Sequence, residues 1–201
     1  MAPAAITAVQ FFTGRLGANP IAEAMNQLGL WGLVLLMAAL AYTPLKRFLG
    51  WNWPLAVRRL LGLCAFFTLT LHFLTYLVLD QFFDVHAIVE DVVKRKFITV
   101  GFFAFVLLIP LAVTSTNGMV KRLGFPRWKR LHRLAYVATA AGVVHFIWRV
   151  KADLLVPLVY AGVLTLLMGI RLVLWWKERS QGGPRDEGPR RAVSPPVVTS
   201  G

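Results

Sequence analysis

Five long apolar segments constrain this chain more than any other feature of its sequence. None of them contains Asp or Glu, and they run about Leu28–Leu45, Leu60–Leu79, Phe97–Thr116, Leu131–Trp148 and Leu154–Trp176. Each has the roughly 17 to 25 residues that a helix needs to cross a bilayer. Because lipid offers the backbone no hydrogen-bond partner, unbroken apolar runs predict helices. The sequence predicts an all-α integral membrane bundle of five transmembrane helices, or six if Met1–Phe12 belongs to a further span.

The composition excludes a small water-soluble enzyme. Hydrophobic residues make up 57% of the chain and charged residues only 15%, against about a quarter charged in an ordinary soluble domain. The single cysteine, Cys64, excludes a disulfide framework, a cysteine-ligated iron–sulfur cluster and a cysteine-rich zinc site. The sequence also has no Walker loop and no dinucleotide-binding fingerprint. Any NAD(P)H chemistry must therefore belong to another protein.

The basic residues predict an orientation in the membrane. The net charge is +13, and an external N-terminus places most Lys and Arg on the inner side, within residues 46–59, 121–133 and 171–191. Basic loops are typical of the cytoplasmic face, where they bind anionic lipid, so we expect no nucleic-acid partner. Three segments result: residues 1–27 as an interfacial helix or shortened span, 28–177 as the transmembrane domain, and 178–201 as a disordered cytoplasmic tail.

Histidines within the predicted spans are the candidate functional residues, because ionisable groups in lipid are costly. His72 and His145 lie at similar depth, in the outer half of the second and fourth predicted spans. Two facing imidazoles at one level are what bis-histidine haem ligation requires. His86 lies in the outer loop between Asp80 and Lys96, which we interpret as solvated and as containing a short amphipathic helix.

A second candidate level lies nearer the inner face. His132 opens the fourth span, roughly 20 Å along the axis from His145. Arg58 lies fourteen residues before His72 and on nearly the same helix face. A guanidinium stays protonated and is a poor iron ligand, but it can bind a haem propionate or a flavin or quinone oxygen. We therefore expect His132 to be a lone axial ligand, and Arg171 to extend toward the inner interface.

Other interpretations remain open at this point. Membrane histidines also form interhelical hydrogen bonds, and they carry protons or metal ions in transporters and channels. Proton-coupled transporters place Asp or Glu in the membrane, and these spans have none. A purely structural anchor for a partner protein would tolerate loss of every histidine. Thr114, Ser115 and Thr116, at the inner end of the third span, can either satisfy helix carbonyls or bind a propionate.

Together, several short motifs resemble a known family. They are Arg58-Arg59-Leu60-Leu61-Gly62-Leu63, Leu71-His72, Thr114-Ser115-Thr116, Arg122-Leu123-Gly124, Trp128, Leu131-His132-Arg133-Leu134-Ala135-Tyr136 and His145-Phe146-Ile147-Trp148. In combination they resemble the haem-binding membrane subunit of the bacterial periplasmic protein-methionine-sulfoxide reductase system. This family belongs to the ferric-reductase-like transmembrane group. The resemblance covers about residues 15 to 176.

The resemblance implies a function as well as a fold. It implies one or two b-type haems, with FMN as a further cofactor, in a multi-pass protein of the bacterial inner membrane. Electrons would pass from the quinone pool or a cytosolic flavin reductase to a periplasmic molybdopterin-containing methionine-sulfoxide reductase subunit, the partner in a heterodimer. A ferric-reductase electron relay is the related alternative.

The family pattern also assigns residues. His72 and His145 match the outer-haem ligands, and His132 matches the inner one. Wider relatives usually have a histidine where Arg58 stands, which bears on whether a second haem is six-coordinate. The family commonly has one more span before the helix at Leu28, so the resemblance implies a shortened member or a misassigned start.

Overall fold

The computed structural model of the protein describes residues 2–50 and 55–180, and these residues form helices and no strand. The all-α prediction is confirmed. In chain order the helices are α1 Ala2–Phe12, α2 Pro20–Leu49, α3 Leu55–Leu74, α4 Val85–Lys94, α5 Lys96–Val113, α6 Asn117–Leu123, α7 Phe125–Leu131, α8 Leu134–Arg149 and α9 Leu155–Ser180. A π-helical segment, Thr75–Asp80, continues α3 outward. Residues 51–54 and the part of the predicted tail after Ser180 lie outside the described residues.

Four described helices are long and apolar enough to cross a membrane, so this is a multi-pass membrane protein. The candidate spans are Pro20–Phe48, Val57–Asp80, Lys96–Val113 and Leu155–Lys177. The fifth predicted span, Leu131–Trp148, was wrong at its start. His132 and Arg133 form a turn after α7, so α8 has 16 residues and is about 24 Å long.

Helix α2 is central to the bundle. One buried cluster joins it to α8 and α9 and contains Leu33, Met37, Leu40, Val143, Leu164 and Leu167. A second joins it to α3, α5 and α8 and contains Leu36, Ala65, Leu108, Leu111 and Ala138. The short α1 is tied to α2 by a hydrogen bond from the Thr7 hydroxyl to the Gln27 side-chain oxygen, 3.1 Å long. The main packing pairs are α2 with α3 and α5 with α8.

Arg171 has a structural role that differs from the prediction. Pro44 lies inside α2 and has no N–H to donate to the Leu40 carbonyl one turn earlier. The Arg171 guanidinium, on α9, donates to that carbonyl at 2.6 Å and also to the Tyr136 hydroxyl. Arg171 is thus directed into the bundle, and the expectation that it extends toward the interface was wrong. The free carbonyl left by the proline offered a better partner.

The outer segment between α3 and α5 contains the amphipathic helix that the sequence predicted. Asp84 caps α4, because its side chain accepts a 3.1 Å hydrogen bond from the Ala87 N–H. His86 is exposed, as expected. Ile88 and Val92 lie on the opposite face of α4 and line a cavity between α2, α3, α5 and α8. α4 therefore covers the outer end of the bundle.

Candidate haem-binding site

A cavity of about 530 Å³ lies between α2, α3, α5 and α8, in the outer half of the bundle. Cofactor sites commonly enclose about 300 to 1,000 Å³. Its walls are mainly apolar and aromatic, and Phe73 stacks on Phe105 at 5.1 Å between ring centres. The polar groups lie mostly toward the outer end. The residues that line the cavity include Asn26, Gly29, His72, Gly101, His145 and Arg149.

His72 projects from α3 against α2. Its Nδ1 lies 2.8 Å from the Met25 carbonyl oxygen. A carbonyl can only accept, so Nδ1 carries a proton, and in the neutral ring Nε2 then keeps its lone pair. A β-carbon at Gly29 would lie 3.0 Å from the ring Cε1. Gly29 is one turn after Met25, so the same stretch of α2 supplies the acceptor and the space for the ring.

His145 repeats this arrangement on the other helix pair. Its Nδ1 lies 2.7 Å from the Phe97 carbonyl oxygen of α5, which again leaves Nε2 unprotonated. A β-carbon at Gly101, one turn after Phe97, would lie 2.6 Å from His145 Nδ1. That distance is too short for any side chain. A residue with a β-carbon at this position would force the imidazole to move.

The structure brings the two imidazoles to one level. Their ring centres are 6.3 Å apart and the ring planes are inclined at 82°. A metal–imidazole bond is about 2 Å, and the ring centre lies roughly 1 Å beyond the nitrogen, so two imidazoles on one ion have centres about 6 Å apart. Within residues 2–50 and 55–180, no group of three or more His, Cys, Asp and Glu could hold a metal ion. Two neutral imidazoles in an apolar cavity fit an iron whose other four ligands come from a porphyrin.

The inner level differs from the outer one. His132 lies in the turn between α7 and α8, and its Nε2 is 3.2 Å from the Thr114 hydroxyl. Its ring packs on Trp128 with centres 4.1 Å apart. Burial first, and then the positive charges of Arg58 and Arg59, lower the pKa of His132 to about 4. The described residues bring no second histidine to His132, in contrast to the pair in the outer cavity.

The polar residues at the inner end of α5 mainly satisfy helix carbonyls. The Thr114 hydroxyl donates to the Pro110 carbonyl and the Ser115 hydroxyl to the Leu111 carbonyl, both at 2.6 Å. Arg59 donates to the Asn117 side chain at 2.5 Å and to the Ser115 carbonyl. Of the two roles that the sequence left open for Thr114 and Ser115, the structure shows hydrogen bonding to helix carbonyls, and the Pro110 carbonyl also accepts from the Thr114 N–H at 3.1 Å.

Sequence reasoning missed the groups around the two outer imidazoles. The Met25 and Phe97 carbonyls have no side-chain signal. The sequence did contain a signal for Gly29 and Gly101, because small residues in apolar spans are typical of close helix contacts. It also contained a signal for Arg149, because this residue follows His145 by four positions and so shares its helix face. It lines the cavity and donates to the Asn26 side-chain oxygen at 2.5 Å.

Comparison with known proteins identifies the class to which this fold belongs. The family described as "Ferric reductase like transmembrane component" matches residues 28–143, more than half of the chain. The protein therefore belongs to the ferric-reductase-like transmembrane family. No solved structure matches the chain.

Within that family, several similar curated proteins have the name "Protein-methionine-sulfoxide reductase heme-binding subunit MsrQ". The Rhodospirillum rubrum protein is 54% identical over 173 residues, which cover 86% of this chain and 83% of the relative. The Herminiimonas arsenicoxydans protein is 52% identical over 84% and 78%, and that of Caulobacter vibrioides is 47% identical over 89% and 83%. The chain is a homologue of these MsrQ proteins, and the resemblance inferred from its sequence is confirmed.

Proposed function

We propose that this chain is a haem b electron-transfer subunit, with His72 and His145 as the axial ligands of a haem in the outer cavity. The observation that carries the proposal is the pair of imidazoles, whose centres are 6.3 Å apart in a mainly apolar cavity. The relatives' name, heme-binding subunit, supports the same cofactor. Haem iron supplies one-electron chemistry, since it alternates between the ferrous and ferric states.

The chain's own groups prepare the ligands for that role. Donation from Nδ1 to the Met25 and Phe97 carbonyls, at 2.8 and 2.7 Å, fixes the tautomer of each ring and makes Nε2 more basic. A more basic ligand favours the ferric form and lowers the reduction potential. The apolar walls around the rings exclude water, which also affects the potential.

Transfer across a membrane needs a second redox station nearer the inner face. We propose His132 as the axial ligand of that station, with Arg58 binding a carboxylate or another oxygen of the same cofactor. Binding of a metal by Nε2 would replace the 3.2 Å contact with the Thr114 hydroxyl. Trp128, whose indole N–H donates to the Thr114 carbonyl at 2.9 Å, holds the ring from the other side.

The name of the relatives also suggests the partner. We propose that electrons from the quinone pool or a cytosolic flavin reductase cross the bacterial inner membrane through this chain. They would reach a periplasmic molybdopterin-containing methionine-sulfoxide reductase subunit that repairs oxidised proteins, with FMN as a further cofactor. The family match favours one second candidate, an electron relay to ferric iron. Copurification with a methionine-sulfoxide reductase supports the first. Reduction of ferric chelates by the reduced chain alone, after excess dithionite has been removed, supports the second.

A visible spectrum of the purified chain in detergent tests the proposal. We expect a Soret band that shifts on addition of dithionite. His72→Ala and His145→Ala should each remove the signal of the haem in the outer cavity. His132→Ala should remove only the signal of the haem nearer the inner face. His86→Ala is the matched control, since that side chain is exposed on α4. A colourless protein from haem-supplied cells, or loss of the signal in His86→Ala, would contradict the proposal.

A further inference from the structure

A cation lies at the outer end of the haem cavity, beside both imidazoles. Arg149 is the last residue of α8, one turn beyond His145 and on the same face. It is half-buried and lines the cavity. Its guanidinium donates to the side-chain oxygen of Asn26, 2.5 Å away on α2. Asn26 directly follows Met25, whose carbonyl binds His72, so the guanidinium is held next to the ligand shell.

Arg149 has no carboxylate in contact with it among the described residues. Asn26 is neutral, and no acidic side chain in the described part of the protein lies within 4.0 Å of the guanidinium. The charge of Glu23 acts on Arg149 only from beyond that distance, and its side chain accepts a hydrogen bond from Gln27 at 3.2 Å. Asp91 pairs with Arg95 at 3.1 Å. A cation against apolar walls interacts strongly with any anion that enters, because the surroundings screen it weakly.

We propose that Arg149 binds a propionate carboxylate of the haem held by His72 and His145, and that Asn26 orients its guanidinium. The inference rests on the proposed function. A residue one turn past a ligand lies about 6 Å further along the helix, which is the scale of the distance from a haem iron to the edge of the porphyrin. Arginine is suited to this role, since its planar fork binds both oxygens of a carboxylate. Arg149 thus recognises the carboxylate of the haem, whereas the axial ligands recognise its metal.

An anionic lipid headgroup at the outer surface offers the same oxygen chemistry. Two observations favour the porphyrin carboxylate. The guanidinium is directed to α2 within the bundle, and it borders the cavity that contains the two imidazoles. The experiment must nevertheless distinguish the two sources.

The test compares haem b with its dimethyl ester, which keeps the macrocycle and lacks the carboxylates. Chain produced without haem is titrated with each compound in nanodiscs, and the Soret band reports binding. Arg149→Gln should weaken binding of haem b roughly tenfold, the loss of one charge-assisted hydrogen bond, and should change binding of the ester by less than twofold. The reduction potential of the haem b form should fall, because a cation that disfavours ferric iron is lost. Arg149→Lys should retain most of the affinity.

The control is Lys151→Gln, which removes an exposed cation two residues away and should change neither titration. Equal weakening of haem b and the ester by Arg149→Gln would overturn the inference, because the residue would then act only through the fold. An effect that appears only with anionic lipid in the nanodisc would overturn it in favour of a headgroup. A chain that binds neither compound before any substitution would refute the proposed function itself, and the inference with it.

Discussion

Gly101 gives a sharp test of the outer site, because the structure leaves no room there for a side chain. In Gly101→Ala the new β-carbon would lie 2.6 Å from Nδ1 and 2.9 Å from Cε1 of His145. The ring must then shift away, and its 2.7 Å hydrogen bond to Phe97 must lengthen or break. Overpacking costs about 1 to 3 kcal/mol, and a weakened hydrogen bond about 1 kcal/mol.

We therefore expect Gly101→Ala to lose about 2 to 4 kcal/mol of haem-binding free energy, or roughly 30- to 700-fold in affinity. The assay is a Soret titration of the haem-free chain, combined with its thermal unfolding in detergent. Gly29→Ala should lose less, because its β-carbon would lie 3.0 Å from Cε1 of His72. Gly62→Ala, in α3 with nothing within 4 Å of the new carbon, is the matched control and should keep wild-type affinity.

The order of the three variants is the critical result. Equal affinities of Gly101→Ala and Gly62→Ala would refute the reasoning, since His145 would then not need its place against α5 to bind haem. A larger loss in Gly29→Ala than in Gly101→Ala would refute the assigned contacts. A Gly101→Ala chain that unfolds at the wild-type temperature but binds haem weakly would assign the loss to the ligand and not to the fold.

Two further predictions concern the supports of the bundle. Arg171→Met should lower stability by about 1 to 2 kcal/mol, seen as a lower unfolding temperature in detergent, because the Leu40 carbonyl loses its donor. In a Pro44→Ala background, where a backbone N–H is restored, the same substitution should cost less, and an equal cost would contradict this role. Asp84→Ala should cost about 1 kcal/mol at the start of α4, seen as faster hydrogen exchange of the α4 amides, whereas unchanged exchange would show that the cap is dispensable.

Much of the architecture could be predicted from the sequence because lipid imposes a simple rule. Apolar runs of sufficient length must be helical, and the structure has helices at all five predicted segments. The start of α8 could not be read from hydropathy. His132 and Arg133 adjoin apolar residues, and only the hydrogen bonds of the turn, such as Arg133 N–H to the Arg130 carbonyl at 3.2 Å, separate them from the helix.

The candidate site was predictable in its side chains and not in its backbone. His72 and His145 are unusual residues in apolar spans, and the depth argument placed them together. Their acceptors, by contrast, are main-chain carbonyls of Met25 and Phe97, and every residue has such a group. Arg171 was misinterpreted for a related reason: the sequence displays Pro44, but not which distant donor replaces the N–H that the proline lacks.

The use of main-chain acceptors has a consequence for how this site can vary. Replacing Met25 or Phe97 by another residue leaves the carbonyl in place, so the tautomer of each ring survives a change that would disable a carboxylate acceptor. Each imidazole is carried by one helix and tied to the next, α3 to α2 and α8 to α5. A small slide between the members of either pair would therefore move Nε2, the nitrogen that we propose binds the iron, without any residue changing its identity.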